Sequence, residues 1–395
     1  MPPDRRFFAG SRVAAALIPA ALLVATLVLP GRSFAAEDPP RPAPIRLRVE
    51  PLDGSTGATV ATLVETDLRA AGAFALTTDP ENAVTVSGTV AGSRIDGRVL
   101  DATGTELLRT VYDSADLRRG AHEFADDIVF ALTGRPGIAT SRLAFVSNAS
   151  GKPEIYVCEA DGRERRRVTY DGGLVAHPSI DRTGSLLTYT SHRGLQPEVV
   201  VLDLLGGARR QITTSSGGSQ GAALSPDGRQ IALSQTDAQG PFLSLVDLDG
   251  TYRRRLTRPG WLASAPSWSP DGQRLTFACD QGDNTGPHLV EGRIGSRWRR
   301  LPLGVTTAYS PDWSPDGDRL AFVTRHHDTL WVAVWERGQA RVRLLGPGQD
   351  PCWGADSRHL LFTTGDRLVT VHIETGSRRT IVENFGRLSE PTWTK

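Results

Sequence analysis

Gly217-Gly218-Ser219-Gln220-Gly221 matches G-x-S-x-G, the spacing that lifts a serine hydroxyl onto a strained strand-to-helix turn in serine hydrolases. That turn needs a helix after it. Here another strand-like run follows, ending in Leu224-Ser225-Pro226-Asp227-Gly228, so the motif reads as a connection between strands and no catalysis is expected. The Asp residues that recur in Ser-Pro-Asp-Gly stand one per turn, where a carboxylate caps its own backbone, and do not cluster as calcium ligands do. The eight His residues (122, 177, 192, 288, 326, 327, 359, 372) show no metal spacing. Cys158, Cys279 and Cys352 are odd in number and lack C-x-x-C, which suits small buried hydrophobes rather than redox or metal chemistry. Arginines cluster at 163–167, 253–255 and 297–300, where charge blunts exposed sheet edges. No enzyme activity, cofactor or metal is therefore expected, and a binding surface remains.

What positions that surface is a repeat. "WSPDGDRLAF" from Trp313 has copies at Trp268, Leu224, Ile180 and Trp353, the last with Gly-Ala-Asp-Ser in place of Ser-Pro-Asp-Gly. Stacking them puts Leu187, Ile231, Leu275, Leu320 and Leu360 in register, at steps of 44, 44, 45 and 40 residues. In each copy a short apolar strand ends at the first residue, a tight turn follows, and an alternating run makes a second strand. A third strand and an Arg-rich fourth complete the unit. Four strands per repeat of this length is the arithmetic of a β-propeller blade.

The ends of the pattern complement each other. "SRLAFVS" at 141–147 matches a second strand with no first strand before it, and Glu390-Pro391-Thr392-Trp393 matches a first strand with nothing after it. Joined, they make a sixth blade that closes the ring and removes a free edge. The expected fold is mostly β: a C-terminal six-bladed β-propeller at 137–395 preceded by a small α+β domain at 45–136.

Composition is that of a globular protein, 39% hydrophobic and 23% charged with formal net charge +1, and gives no footprint of a nucleic-acid partner. Residues 1–35 read as an export signal: Arg5, Arg6 and Arg12 precede an apolar run from Val13 to Leu29, and Ser33-Phe34-Ala35 offers a cleavage site. Residues 36–44 read as a flexible Pro-rich segment. Within the small domain, 45–49, 84–90, 93–100 and 105–112 read as strands. Val60, Leu63, Val64 and Leu68 lie at helical spacing, as do Ala121, Phe124, Ala125, Ile128, Ala131 and Leu132 before Gly134.

In a propeller the residues just before each inner strand face a common funnel. Here they are Ala176-His177, Gln220-Gly221, Ser264-Ala265, Tyr309-Ser310, Gln349-Asp350 and Ser389-Glu390. His177, Gln220, Ser264, Tyr309, Asp350 and Glu390 are the candidate partner-binding residues. A polar funnel of this kind suits docking of a partner or a capped, solvated channel.

The run "LRRGAHEFADDIVFALTGRPGIATSRLAFVSN" at 117–148, together with the signal, the α+β domain and the blades, resembles the TolB family of periplasmic Tol-Pal components. The resemblance implies a non-enzymatic periplasmic protein that binds the peptidoglycan-associated lipoprotein Pal through the propeller funnel. It also implies contact between the N-terminal segment and TolA, and a role in envelope integrity and constriction at cell division. Family contacts to Pal include His and Glu-type residues, and His177 and Glu390 occupy loops of that kind. The alternative is a periplasmic propeller that binds a sugar or peptide, or the accessory module of a peptidase.

Overall fold

The computed structural model describes residues 43–212, 218–251, 253–282 and 285–395; the expected signal at 1–35 and all of the Pro-rich segment except 43–44 lie outside them. In β1 (Ile45–Val49) apolar and charged residues alternate, so Leu47 points inward while Arg46 stays exposed. Helix α1 (Gly57–Ala70) buries Val60, Val64 and Leu68, spaced at one face. β2 (Phe74–Leu76) and β3 (Val84–Ala91) pair parallel to β1 on either side, and β4 (Arg94–Leu100) and β5 (Glu106–Asp113) continue as an antiparallel meander. The sheet order is β2-β1-β3-β4-β5. Helix α2 (Leu117–Thr133) starts where the Asp116 carboxylate accepts from the Arg118 N–H, and stops at Gly134, whose φ of 68° is left-handed. The two helices bury Phe124, Ile128, Val64 and Leu68 in one core with Leu47, Ile95 and Val99 of the sheet.

The rest is a ring of six four-stranded sheets. The inner strands are Val175–Ile180, Ser219–Leu224, Leu262–Trp268, Tyr309–Trp313, Gln349–Trp353 and Leu388–Trp393, and blades 1 to 6 are numbered in that order. The first five end at the residues the repeat alignment picks out. Blade 6 joins the two ends of the propeller: Leu388–Trp393 pairs antiparallel with β6 (Arg142–Ser147), which pairs with β7 (Glu154–Glu159) and then β8 (Arg166–Arg167). Trp393 lies opposite Leu143.

The Ser-Pro-Asp-Gly turns are knotted by their serines. Ser225 Oγ donates to Asp227 at 2.6 Å and accepts from the Gln230 N–H at 2.9 Å; Ser314 repeats this with Asp316 and Arg319 at 2.6 and 3.0 Å. The Asp accepts in turn from the N–H two residues on, as Asp227 does from Arg229 at 3.1 Å. The end residue of each inner strand is a wedge between blades. Trp313, Trp353 and Trp393 are at most 1% exposed. The indole N–H groups of Trp313 and Trp353 reach across to Thr276 Oγ1 at 2.8 Å and the Asp312 carbonyl at 3.1 Å, while that of Trp393 donates to Ser141 Oγ at 2.6 Å, just before β6 in its own blade.

Arginines of the outer strands do more than shield edges. Arg166, Arg210 and Arg343 donate to the carbonyls of Leu204, Leu248 and Ile373, at 3.4, 2.7 and 2.7 Å. Each acceptor is the residue just past the third strand of the next blade, so these guanidinium groups brace neighbouring sheets.

Candidate functional site

All six inner strands carry the same irregularity. Pairing with the second strand slips between Ser219-Gln220 and Ala223-Leu224, and at the matching point of every other blade. At each slip one residue takes a left-handed conformation: His177, Gly221, Ala265, Ser310, Asp350 and Glu390, with φ between 45° and 60°. Five of the six are not glycine, and each such residue stores about 1 kcal/mol of strain or more. Proline follows in five blades (178, 266, 311, 351, 391), at a point where the interrupted ladder needs no N–H. The result is a ring of six bulges around the axis.

The funnel pairs expected to precede the inner strands are therefore inside them, and the bulge separates their members. His177, Asp350 and Glu390 line a central cavity of about 480 Å³. Gln220, Ser264 and Tyr309 stand one residue earlier and are not among its lining, where Gly221, Ala265 and Ser310 take their place. Gly221 announces a left-handed residue by its type; at the other five bulges residue type alone does not mark which member of the pair turns inward.

The mouth is asymmetric. Blades 5, 6 and 1 contribute Asp350, Glu390 and His177; blades 2, 3 and 4 contribute glycine, alanine and serine. The charged side is chained across blades: the Glu390 N–H donates to Asp350 Oδ2 at 3.1 Å, the His177 N–H donates to Glu390 Oε2, and His177 Nε2 lies 3.9 Å from Glu390 Oε1. Burial and the adjacent Glu390 charge push Asp350 up to about 6. Two residues deeper, Ser267, Asp312 and Thr392 accept from the N–H of Trp313, Trp353 and Ile180 in the next blades, at 3.3, 2.8 and 3.4 Å. Lys395 donates to Asp312 Oδ1 at 2.6 Å and to the Trp313 carbonyl at 3.0 Å. An acceptor-rich arc facing an arc of small residues can receive donor groups on one side and a closely approaching chain on the other.

Ser219 sits in an inner strand, 1% exposed, with its hydroxyl accepting from Gln235 Nε2 at 3.3 Å. A strand continues after it, which is not the geometry of a nucleophile. The three cysteines are buried, and burial pushes Cys158 up to about 12. Among the described residues His122, Glu159 and Asp161 form a group whose ligand atoms lie within 4.8 Å of one another. Arg118 already occupies it, donating to Glu159 at 2.6 Å and to Asp161.

A family model described as "TolB beta propeller domain" matches residues 130–395. The Tol-Pal system protein TolB of Geobacter sulfurreducens is 39% identical over 90 residues, 22% of this chain and 21% of the relative. A TolB homolog from Chlorobium chlorochromatii is 34% identical over 98 residues, 24% of this chain and 22% of the relative. The matched stretch thus spans about a fifth of the length of these curated relatives. The crystal structure of TolB from Acinetobacter baumannii superposes with a TM-score of 0.80, covering 90% of this chain and 97% of that one at 21% identity, which shows a shared fold.

Proposed function

Because the chain belongs to the TolB β-propeller family, we propose that it is a non-enzymatic component of a Tol-Pal envelope system, exported to the periplasm, whose propeller docks a Pal-type lipoprotein. The observation that supports this reading is the ring of bulges, which spends backbone strain to present His177, Asp350 and Glu390 at one mouth of the channel. An acceptor arc at the edge of a groove selects a partner by its donors and positive charges. In this reading the small-residue arc admits the partner's main chain, and Gln220, Ser264 and Tyr309 contact it from just outside the cavity. The signal at 1–35 is removed, the segment at 36–44 engages TolA, and the domain at 45–136 links that contact to the propeller at 137–395. Envelope integrity and constriction at division are the processes the docking serves. Among the described residues no helix is long and apolar enough to cross a membrane.

The test is calorimetric titration of the full chain with the soluble domain of a Pal-type lipoprotein. Asp350→Asn with Glu390→Gln is expected to weaken binding by about tenfold or more, as for loss of buried charged acceptors, with an unchanged far-UV spectrum. Wild-type affinity in that variant would move the docking face away from the channel mouth. A cavity of about 480 Å³ also has the size of a small-ligand site. Binding of a sugar or short peptide, with no binding of the lipoprotein, would favour the alternative reading.

A further inference from the structure

Two histidines join the N-terminal domain to the ring, and each faces acceptors with both ring nitrogens. His122 on α2 is 3% exposed. Its Nδ1 lies 2.6 Å from Asp67 Oδ2 on α1 and its Nε2 3.6 Å from Glu159 Oε2 at the end of β7. That Nε2 is buried without a hydrogen-bond partner. His359, on the second strand of blade 5, places Nδ1 2.6 Å from Asp356 Oδ2 and Nε2 2.9 Å from the carbonyl of Ala70, the last residue of α1. A neutral imidazole has one N–H and one lone pair, and a lone pair cannot serve a carboxylate or a carbonyl. Both bonds at His359, and attraction on both sides of His122, require the imidazolium.

The surroundings favour that form. Asp67 faces His122 from α1, with Asp126 of α2 nearby, and Glu159 and Asp161 face it from blade 6; Arg118 of α2 and the exposed Arg163, 3.7 Å from Asp161, are the cations among them. Burial alone lowers the His122 pKa, but the Asp67 hydrogen bond and charge outweigh it and the net direction is up. Around His359, burial opposes ionisation of Asp356, yet the charge and hydrogen bonds of His359 hold that carboxyl down at about 2. His372, whose ring is 4.8 Å from that of His359, is pushed down to about 4 by burial and then by the His359 charge, so it is the neutral member of the pair. Arg135, Arg319 and Arg358 converge nearby on Glu374. The end of α1 is pressed on these rings: a Cβ on Gly72 would meet His372 Cδ2 at 2.8 Å. A cation there also complements the partial negative charge of the helix C-terminus.

We propose that His122 and His359 form a latch that clamps the N-terminal domain onto blades 5 and 6, and that its His122 half is proton-operated and loosens as the pH rises, while both domains stay folded. On deprotonation His122 turns a lone pair toward Glu159, while His359 ties the end of α1 to blade 5 through the Ala70 carbonyl. The sign follows from linkage. A histidine whose folded-state pKa is raised contributes its full stabilisation below the unfolded value, near 6.5, and loses it as the pH passes the higher folded value. The latch does not depend on what the channel binds.

The test is amide hydrogen exchange on the full chain at pH 5.5, 7.0 and 8.5, with rates corrected for intrinsic pH dependence. In the wild type, protection at the end of α1 and across 134–142 is expected to fall about tenfold per unit of pKa shift released. Protection in β3, β4 and the inner strands should hold constant. The His122→Gln, His359→Gln double variant should show a flat profile over 134–142. A flat wild-type profile overturns the proposal without recourse to any variant. So does a pH-dependent loss in β3 and β4, which would mean unfolding rather than undocking, and so does a double variant that keeps the wild-type dependence.

Discussion

Truncating Trp313 to alanine should strike the seam between blades 3 and 4. The indole is 1% exposed, donates to Thr276 Oγ1 at 2.8 Å, meets Trp335 edge-on at 6.5 Å, and has the Arg337 guanidinium 4.5 Å above its ring. Losing that much buried aromatic volume costs roughly 3–5 kcal/mol, because flanking sheets held by their own ladders cannot collapse into the gap. Trp313→Phe retains most of the packing and loses the bond to a rotatable hydroxyl, a cost of about 1 kcal/mol. At roughly 2–4 °C per kcal/mol for a chain of a few hundred residues, the alanine variant should melt about 6–20 °C below wild type and the phenylalanine variant about 2–4 °C below. Scanning calorimetry on the three proteins reads both shifts. An alanine variant melting with wild type would refute the wedge role. A phenylalanine variant as damaged as alanine would assign the stability to the hydrogen bond and not to packing.

Asp350, held up at about 6 against an ordinary value of 3.8, makes its stabilising contribution below pH 3.8 and loses it as the pH rises through 6. Asp350→Asn should therefore be more stable than wild type at pH 7.5 and equal to it at pH 3.5, and equal stability at both values by urea titration would contradict that account. Gly134→Ala, at φ 68°, should cost about 1 kcal/mol of stability in the same titration. Arg210→Ala removes a brace to the Leu248 carbonyl and should cost about 1 kcal/mol; thermal melting indistinguishable from wild type would reduce that arginine to edge charge. A thiol reagent should leave Cys158, Cys279 and Cys352 unlabelled in the native protein and label all three in denaturant, since each is buried.

The blades were legible because one turn, Ser-Pro-Asp-Gly, recurs at a fixed offset from a bulky apolar residue, and that residue does end each inner strand. Closure was legible from the complementary ends, and Trp393 does pair with Leu143. Phe74–Leu76 was missed, being three residues long and too short for any period to register. The bulges were missed for another reason: alanine, serine and glutamate carry no local sign of a left-handed backbone, and the preference of histidine and aspartate is too slight to mark one. The arginine braces join residues 30–38 positions apart and show only once the sheets are placed side by side. In the fifth repeat the retained turn aspartate, Asp356, also holds His359, which reaches the Ala70 carbonyl of α1.

Blade 6 draws one strand from 388–393 and its neighbour from 142–147. A ribosome delivers these segments some 240 residues apart, so blades 1 to 5 emerge and pair internally while β6 waits without its inner neighbour. Until Trp393 is delivered, the nascent ring is a row of sheets with two bare flanks, a substrate for holdases and proteases. Emergence of 388–393 is thereby also the signal for locking. A chain that lacks 388–393 leaves β6 with an open flank that quality control can recognise.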